Sequence, residues 1–340
     1  MNFQKILIIQ TASIGDVILS TPVIEFIHKN YPETIIDILV KEGNQSLFDN
    51  HPFLNQVLVW NKQEKKFFSL ISIIRNIRYI RYDIVVNVQR FFSSGLITIL
   101  SKAKITSGFS KNPFSLLYTY RYNHLITKDS QIHECERNLS LLKFLEIPIN
   151  KLLPKLYPTL EDVNGVNKYT EKEYICIAPA SVWHTKQFPI DSWVQLIIKL
   201  PKTIIVYLLG SKNDNDICEE IILKVFLSSN IDKINVVNLS GELSFLQTST
   251  LMLKAKMNYV NDSAPMHLAS AVDAPVTAIF CSTVPEFGFT PLSKRSFVIE
   301  SKQNINCRPC GLHGHSKCPE KHFECAKTID LNEIINTLYL

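Results

Sequence analysis

The sequence has no run of about 18 uncharged apolar residues, which is the length that a membrane-spanning helix needs. Its opening stretch has a short apolar run after Lys5, too short for a signal-peptide core, and no small-residue cleavage site follows it. Charged residues make up 20% of the chain and hydrophobic residues 46%, a balance typical of globular proteins. We therefore expect a soluble protein that works in the cytoplasm.

Glycine is scarce, at 10 of 340 residues, and this limits the nucleotide-binding motifs that the chain can contain. The dinucleotide fingerprint needs three closely spaced glycines after a strand and an acidic residue about 20 positions later. Here the first predicted strand is followed by 11–22, where Gly15 is the only glycine and Asp16 comes directly after it. The sequence therefore argues against an NAD-dependent enzyme.

What the chain does contain is an alternation of Ile- and Val-rich strands with helical patterns, which is typical of parallel sheets covered by helices. A helix is predicted at 17–29, and the first-half strands are predicted at 5–10, 35–40, 56–60, 83–88 and near Ile105. The second-half strands are predicted at 174–178, 203–209, 235–239, 257–260, 276–281 and 297–300. The predicted fold class is α/β.

A break in this pattern predicts two domains. Between 150 and 170, Pro154, Pro158 and Gly165 stand among polar residues, as in an interdomain connection. We place the boundary after residue 160, which gives domains 1–160 and 161–340, each large enough to bury a full core. Because ligands of parallel sheets bind at the carboxyl ends of the strands, the two sheets are expected to face a central cleft.

Asp16 is the first candidate for chemistry, because it lies near the N-terminus of the helix that follows the first strand. The free amides and the dipole of a helix N-terminus stabilise a carboxylate as an anion, which can then accept a proton from a hydroxyl group. The alternative is that Asp16 only caps the helix.

The loop after the strand at 174–178 carries Ser181 and Lys186. An ammonium group there can offset the charge of a leaving diphosphate, while the Ser181 hydroxyl and the loop amides bind phosphate oxygens. A lysine in a loop is more often a solvated surface group, and this alternative stays open.

The strand at 257–260 leads into a third candidate segment, in which Asp262 and Ser263 are predicted to cap a helix with Pro265 in its first turn. The amides of such a helix start form an anion site. His267 lies one turn into the helix and is predicted to face the bound group, although a lone histidine is more often a packed core residue.

Basic residues crowd one stretch of the first half, which suggests an anionic partner. They are Lys62, Lys65, Lys66, Arg75, Arg78, Arg81 and Arg90. The alternative is a solvated helix face, since the net charge of the whole chain is only +5.

Four cysteines near the end, Cys307, Cys310, Cys318 and Cys325, form a C-x2-C-x7-C-x6-C array with histidines between them. Thiolates at such spacing can form a tetrahedral zinc site, and a cytoplasmic location disfavours disulfides. We interpret the array as a structural knuckle, with zinc bound or not. A nucleic-acid-binding finger is the competing interpretation, but the nearby lysines form only a small basic face, so no nucleic-acid partner is expected.

The motifs, in this order, resemble those of glycosyltransferase family 9, the ADP-heptose:lipopolysaccharide heptosyltransferases, over most of the chain. The matching segments are ILIIQTASIGDVILSTP at the start of the chain, 180–189, 240–252 and 260–271. The resemblance implies a GT-B architecture, in which the first Rossmann-like domain binds the acceptor and the second binds the nucleotide-sugar. It also implies an inverting transfer that requires no metal or other cofactor.

The resemblance assigns roles to individual residues. It implies that Asp16 is the catalytic base and that Lys186 binds the donor phosphate, with Ser181 as a donor-contacting hydroxyl. The match to the family's donor loop covers Asp262, Ser263, Ala264 and His267. The family usually has glycine where this chain has Ala264, which leaves the identity of the donor open.

The basic stretch falls on the family's acceptor side, where a phosphorylated lipid A core bearing Kdo needs cations. The acceptor-binding candidates are Lys62, Lys65, Lys66 and Arg90. We expect transfer of heptose from ADP-heptose to the lipopolysaccharide inner core, with the protein peripheral at the inner face of the inner membrane. The alternatives are another nucleotide-sugar in O-antigen or capsule assembly, and a non-catalytic nucleotide-binding module.

Overall fold

The computed structural model describes residues 3–62, 66–129, 131–228 and 235–340, without the side chain of Lys66. The chain divides into two compact units, Met1–Tyr157 and Pro158–Leu340. Each unit contains a six-stranded parallel sheet with helices packed against it, so the predicted α/β class is confirmed. Within these described ranges, no helix is both long enough and apolar enough to cross a membrane.

The first unit has the strand order β3-β2-β1-β4-β5-β6. Its strands are β1 (Lys5–Ile9), β2 (Ile35–Lys41), β3 (Gln56–Trp60), β4 (Ile84–Asn87), β5 (Ile105–Phe109) and β6 (Tyr120–Tyr122). Its helices are α1 (Ile14–Asn30), α2 (Lys66–Ile80), α3 (Phe92–Leu100) and α4 (Glu134–Ser140). All strand pairs are parallel, so the carboxyl ends of all six strands lie along one edge.

The second unit repeats this topology with the order β12-β11-β10-β7-β8-β9. Its strands are β7 (Tyr174–Ala178), β8 (Ile205–Leu208), β9 (Val236–Asn238), β10 (Asn258–Asn261), β11 (Val276–Phe280) and β12 (Ser296–Glu300). Its helices are α5 (Leu160–Val166), α6 (Ile190–Lys199), α7 (Asn215–Ser228), α8 (Phe245–Lys254), α9 (Ala264–Ala271), α10 (Glu324–Lys327) and α11 (Leu331–Asn336). Both orders are those of a doubly wound nucleotide-binding fold.

The central strands are apolar without alternation because both of their faces are covered. In β1 the four residues from Ile6 to Ile9 are fully buried, and β7 is buried along its whole length. This burial fixes where each strand ends, and therefore where the following loop can present polar side chains.

Helix α1 contains a proline, which removes one backbone donor from the helix interior. Pro22 cannot donate to the carbonyl of Ile18, four residues earlier. The hydroxyl of Thr21 donates to that carbonyl instead, at 2.7 Å, so the acceptor is satisfied and the helix continues to Asn30.

Three features differ from the sequence-based expectations. Strand β6 was not predicted, because its three residues are two tyrosines and an exposed arginine at the sheet edge. Helix α1 begins at Ile14, so Asp16 lies inside its first turn. The stretch expected to be a connection contains α5, because Thr159 and Asp162 form a reciprocal capping box that starts a helix.

Candidate active site

Asp16 occupies the third position of α1, where its carboxylate faces the start of the helix. Its Oδ2 atom accepts a hydrogen bond from the backbone N–H of Ser13 at 3.3 Å and another from the Ser13 hydroxyl at 2.5 Å. The carboxylate therefore closes a capping box, as the capping alternative predicted. Its position in the first turn of the helix that follows β1 also places it on the edge where parallel sheets bind ligands.

Three side chains from neighbouring strand ends hold the loop that leads to Asp16. The Gln89 side chain, after β4, accepts a hydrogen bond from the Thr11 hydroxyl at 2.8 Å. Asn44, after β2, donates to the carbonyl of Ala12 at 3.0 Å. The Lys62 ammonium, after β3, donates to the carbonyl of Thr11 at 2.6 Å. Contacts from three sides fix the direction in which α1 leaves the sheet, and with it the position of Asp16.

The structure places the predicted acceptor cations unequally. Lys62 lies over the ring of Trp60, 4.7 Å from its centroid, while it donates to the Asp16 loop. Arg90 is half-buried in the loop after β4. Lys65 and the side chain of Lys66 lie outside the described residues.

The first unit also has an open pocket of about 730 Å³ beyond β6, which the sequence did not indicate. Its cationic lining includes Arg121, Lys143 and Lys151, and its apolar lining includes Leu125 and Ile132. Arg121 lies in β6, Lys143 in the turn after α4, and Lys151 further along the chain, so no basic run in the sequence marked them as a group.

In the second unit, Lys186 and Asp262 form an ion pair between the loops that follow β7 and β10. The Lys186 Nζ atom lies 2.7 Å from Asp262 Oδ2, and the two side chains are only 15% and 7% exposed. The Thr283 hydroxyl, after β11, donates to the same carboxylate oxygen at 2.6 Å. The lysine is therefore not a solvated surface group, and three strand ends converge on one carboxylate.

Asn261, the last residue of β10, connects these loops. Its side-chain oxygen accepts a hydrogen bond from the backbone N–H of Phe188 at 2.9 Å, and its side-chain nitrogen donates to the carbonyl of Pro179 at 2.7 Å. Asn261 is fully buried, so both bonds are formed out of contact with water. They fix the two ends of the loop that carries Lys186.

The start of α9 differs from the predicted cap. Ser263 occupies the N-cap position, but its hydroxyl lies 3.4 Å from the carbonyl of Asn261 and makes no capping bond within the described chain. The predicted capping role of Asp262 is wrong, because its carboxylate pairs with Lys186 and Thr283. Pro265 does lie in the first turn and has no N–H, and the Met266 N–H donates to the Ser263 carbonyl, so in the first three positions of α9 the N–H of Ala264 is the one that can face an anion.

The remaining predicted donor residues lie on the same two loops. Ser181 is half-buried, and its carbonyl accepts a hydrogen bond from the Gln187 side chain at 2.6 Å. His267 is buried, at the fourth position of α9. Sequence reasoning missed Thr283 and Asn261, whose side chains hold the charged pair but carry no charge of their own.

The four cysteines of the array, together with His322, line one small cavity in the second unit. Cys307 Sγ lies 3.7 Å from His322 Nε2. Burial raises the pKa of the Cys310 thiol and raises that of Cys325 to about 11. Among the described residues no group of three or more His, Cys, Asp or Glu side chains is placed to hold a metal ion, so the zinc site is not confirmed.

Comparisons with known proteins identify the family of this fold and site. The model of glycosyltransferase family 9 (heptosyltransferase) matches residues 70–322. Lipopolysaccharide heptosyltransferase 1 of Campylobacter coli is 27% identical to this chain, over 89% of this chain and 88% of the relative. Lipopolysaccharide heptosyltransferase 2 of Escherichia coli K12 is 24% identical, over 87% of this chain and 88% of the relative.

A solved structure shows the same fold. The structure of the E. coli ADP-heptose lipopolysaccharide heptosyltransferase II aligns with a TM-score of 0.80 and 22% identity. The alignment covers 99% of this chain and 98% of that protein. The two-sheet architecture is therefore shared along the whole length of both chains.

The buried ion pair predicts a measurable energetic coupling. In a double-mutant cycle of Lys186→Met and Asp262→Asn, we expect a coupling of about 2 kcal/mol in the free energy of unfolding, because removing one partner leaves the other charge desolvated. Urea denaturation of the four proteins measures it.

The Lys104 and Asp83 pair provides the control, since its separation is 2.8 Å but its lysine is 81% exposed. We expect a coupling below about 1 kcal/mol there. Equal couplings for the two pairs would contradict the view that the Lys186 pair is shielded from water.

Proposed function

We propose, because the chain belongs to glycosyltransferase family 9 (heptosyltransferase), that it transfers a heptose from ADP-heptose to the inner core of lipopolysaccharide. Family membership makes the chain a glycosyltransferase, and its relatives over most of the length are lipopolysaccharide heptosyltransferases. The observation that carries the proposal is the ion pair of Lys186 and Asp262 beside the start of α9.

On the donor side, the diphosphate binds between the Lys186 ammonium and the N–H of Ala264 at the start of α9. Asp262 and Thr283 hold the ammonium in place before the donor arrives, so little reorganisation is needed on binding. When the sugar leaves, negative charge grows on the diphosphate, and the ammonium offsets it. Ser181, Ser263 and His267 contribute further contacts to the donor.

On the acceptor side, Asp16 is the general base. Its carboxylate takes the proton of the acceptor hydroxyl as that oxygen attacks the anomeric carbon of the heptose. The bond between the anomeric carbon and the diphosphate oxygen breaks, and its electron pair leaves with ADP. A single displacement of this kind inverts the anomeric configuration.

The acceptor is a lipid that bears anionic sugars and phosphates, and cations of the first unit recognise it. Arg90 adjoins the loop system that holds Asp16, and the pocket beyond β6 adds Arg121, Lys143 and Lys151. Lys62 contributes by holding the Asp16 loop through the Thr11 carbonyl.

The donor is tested by the change in melting temperature with ADP, UDP, GDP and CMP and their sugars. A ligand that binds the native state raises the free energy of unfolding by RT ln(1 + [L]/Kd). We therefore expect ADP and ADP-heptose, at about 100 times Kd, to raise the free energy of unfolding by about 2.7 kcal/mol and to raise the melting temperature accordingly. The Lys186→Met variant serves as the control and loses most of this gain. Stabilisation by a different nucleotide alone would contradict the donor assignment and favour O-antigen or capsule assembly.

A lipid acceptor requires the first unit to reach a membrane surface, and an apolar rim of that unit suits this task. The rim comprises six side chains that are each more than half exposed: Phe67, Phe68, Phe91, Phe92, Leu116 and Leu117. They lie at the starts of α2 and α3 and in the turn after β5. All three positions follow strand carboxyl ends, so the rim borders the sheet edge that carries Asp16.

We propose that this rim docks on the inner face of the inner membrane. Large apolar side chains that are exposed along one sheet edge suit a surface that contacts lipid. Arg90 and Lys111 lie in the same loops as these side chains and complement anionic lipid headgroups.

Vesicle sedimentation tests the docking. We expect the wild-type protein to bind vesicles that contain phosphatidylglycerol, and the binding to weaken with salt. The Phe67→Ser/Phe68→Ser variant should bind at least about tenfold more weakly, since two large apolar side chains no longer enter the lipid. The matched control is Phe226→Ser/Leu227→Ser, an equally exposed pair in α7. Equal binding by both variants would contradict docking through the rim.

A further inference from the structure

The cysteine segment, residues 307–325, contacts the loop that carries Lys186 directly. The backbone N–H of Thr185 donates to the carbonyl of His315 at 3.1 Å, and the N–H of His315 donates to the Thr185 hydroxyl at 2.7 Å. Thr185 precedes Lys186 in the chain. The two residues 130 positions apart are therefore joined by a reciprocal pair of hydrogen bonds.

The same segment also contacts the loop after β11. The Ser282 hydroxyl donates to the Thr185 hydroxyl oxygen at 3.0 Å, and the carbonyl of Ser282 accepts a hydrogen bond from the N–H of Cys310 at 2.8 Å. Ser282 precedes Thr283, which binds Asp262. Thr185 and Ser282 are each 1% exposed, so water cannot reach their polar atoms. These hydrogen bonds therefore satisfy polar groups that would otherwise be buried without partners.

Arg308 fixes the beginning of the segment at the end of β11. Its guanidinium donates to the carbonyls of Cys281 at 2.8 Å and Thr283 at 2.7 Å, and it pairs with the carboxylate of Glu300. The arginine side chain is 11% exposed. The segment is thus attached to the strand end next to Asp262 and to the loop next to Lys186.

Gly314 brings the segment against the Lys186 side chain itself. Its φ angle is +75°, and a Cβ atom there would lie 2.7 Å from Thr185 Oγ1, 3.1 Å from Lys186 Cγ and 3.1 Å from Ser282 Oγ. Gly311 has nearly the same φ angle, +73°, but a Cβ atom there would have no described atom within 4 Å. The left-handed backbone conformation alone therefore explains glycine at Gly311. At Gly314, the lack of a side chain also lets the segment pack closely against Thr185 and Lys186.

We propose that the cysteine segment is a positioning element of the donor site, and that Thr185, Ser282 and the turn at Gly314 and His315 hold Lys186 and Asp262 ready for the diphosphate. Thr185 and Ser282 are positioning residues that act through this pair. The inference rests on the proposed role of Lys186 in diphosphate binding. It gives the segment a function in donor affinity that does not depend on what the four thiols bind.

The two glycines provide a matched test in the full-length protein. Gly314→Ala and Gly311→Ala both place alanine in the left-handed region, so we expect both to lower the melting temperature. Gly314→Ala should lower it further, because its methyl group also meets the buried Thr185 hydroxyl. Only Gly314→Ala should raise the Kd for ADP, by about tenfold, because only there does the new methyl group displace Thr185 and Lys186. Calorimetric titration with ADP measures Kd, and steady-state kinetics should show kcat/KM for the donor falling by a similar factor.

A second pair of variants separates positioning from folding. Thr185→Val removes the hydroxyl and keeps the shape of the side chain, so it should raise the Kd for ADP, whereas Thr185→Ser keeps the hydroxyl and should restore it. Unchanged ADP affinity in Gly314→Ala and Thr185→Val, with ADP binding lost in Lys186→Met, would overturn the positioning role alone. Unchanged ADP affinity in Lys186→Met would overturn the proposed function of Lys186 and the inference with it.

Discussion

A lysine ammonium and an aspartate carboxylate that are both largely removed from water each lose several kcal/mol of hydration, and only a close partner compensates that loss. Lys186 and Asp262 are in this situation, and their separation of 2.7 Å requires their two loops to be held within a narrow range of positions. Asn261 fixes the ends of one loop, Thr283 adds a third strand end, and the cysteine segment supports both sides. A preorganised cation of this kind is what the departure of a diphosphate requires.

In the first unit, a carboxylate is held in position in a similar way. Asp16 is a capping carboxylate, and capping does not conflict with a role as general base. The bonds from Ser13 and the support of the preceding loop by Lys62, Asn44 and Gln89 define where the carboxylate stands. In both units, the side chain proposed to react follows a buried parallel strand, and side chains at adjacent strand ends set its position.

The α/β class and most strand positions were predictable, because buried parallel strands appear as Ile- and Val-rich runs with abrupt ends. The positions of Asp16, Lys186 and Asp262 after such runs could be read from the sequence, whereas their roles were expected only from the family resemblance. The contacts that support these residues could not be predicted from the sequence. Thr185 forms hydrogen bonds with His315, 130 positions away, and Asp262 accepts a hydrogen bond from Thr283, 21 positions away. Local patterns carry no signal for such pairings, and the capping role assigned to Asp262 was wrong because its distant partners were unknown.

The role of Asp16 in transfer is tested most directly by turnover with ADP-heptose and a Kdo-bearing lipid A acceptor, comparing the wild-type protein with Asp16→Asn. Asparagine can replace most of the capping contacts but cannot accept a proton, so we predict unchanged melting temperature and ADP affinity with a fall in kcat of at least about 100-fold. Full turnover by Asp16→Asn at unchanged donor affinity would contradict general-base catalysis by this residue.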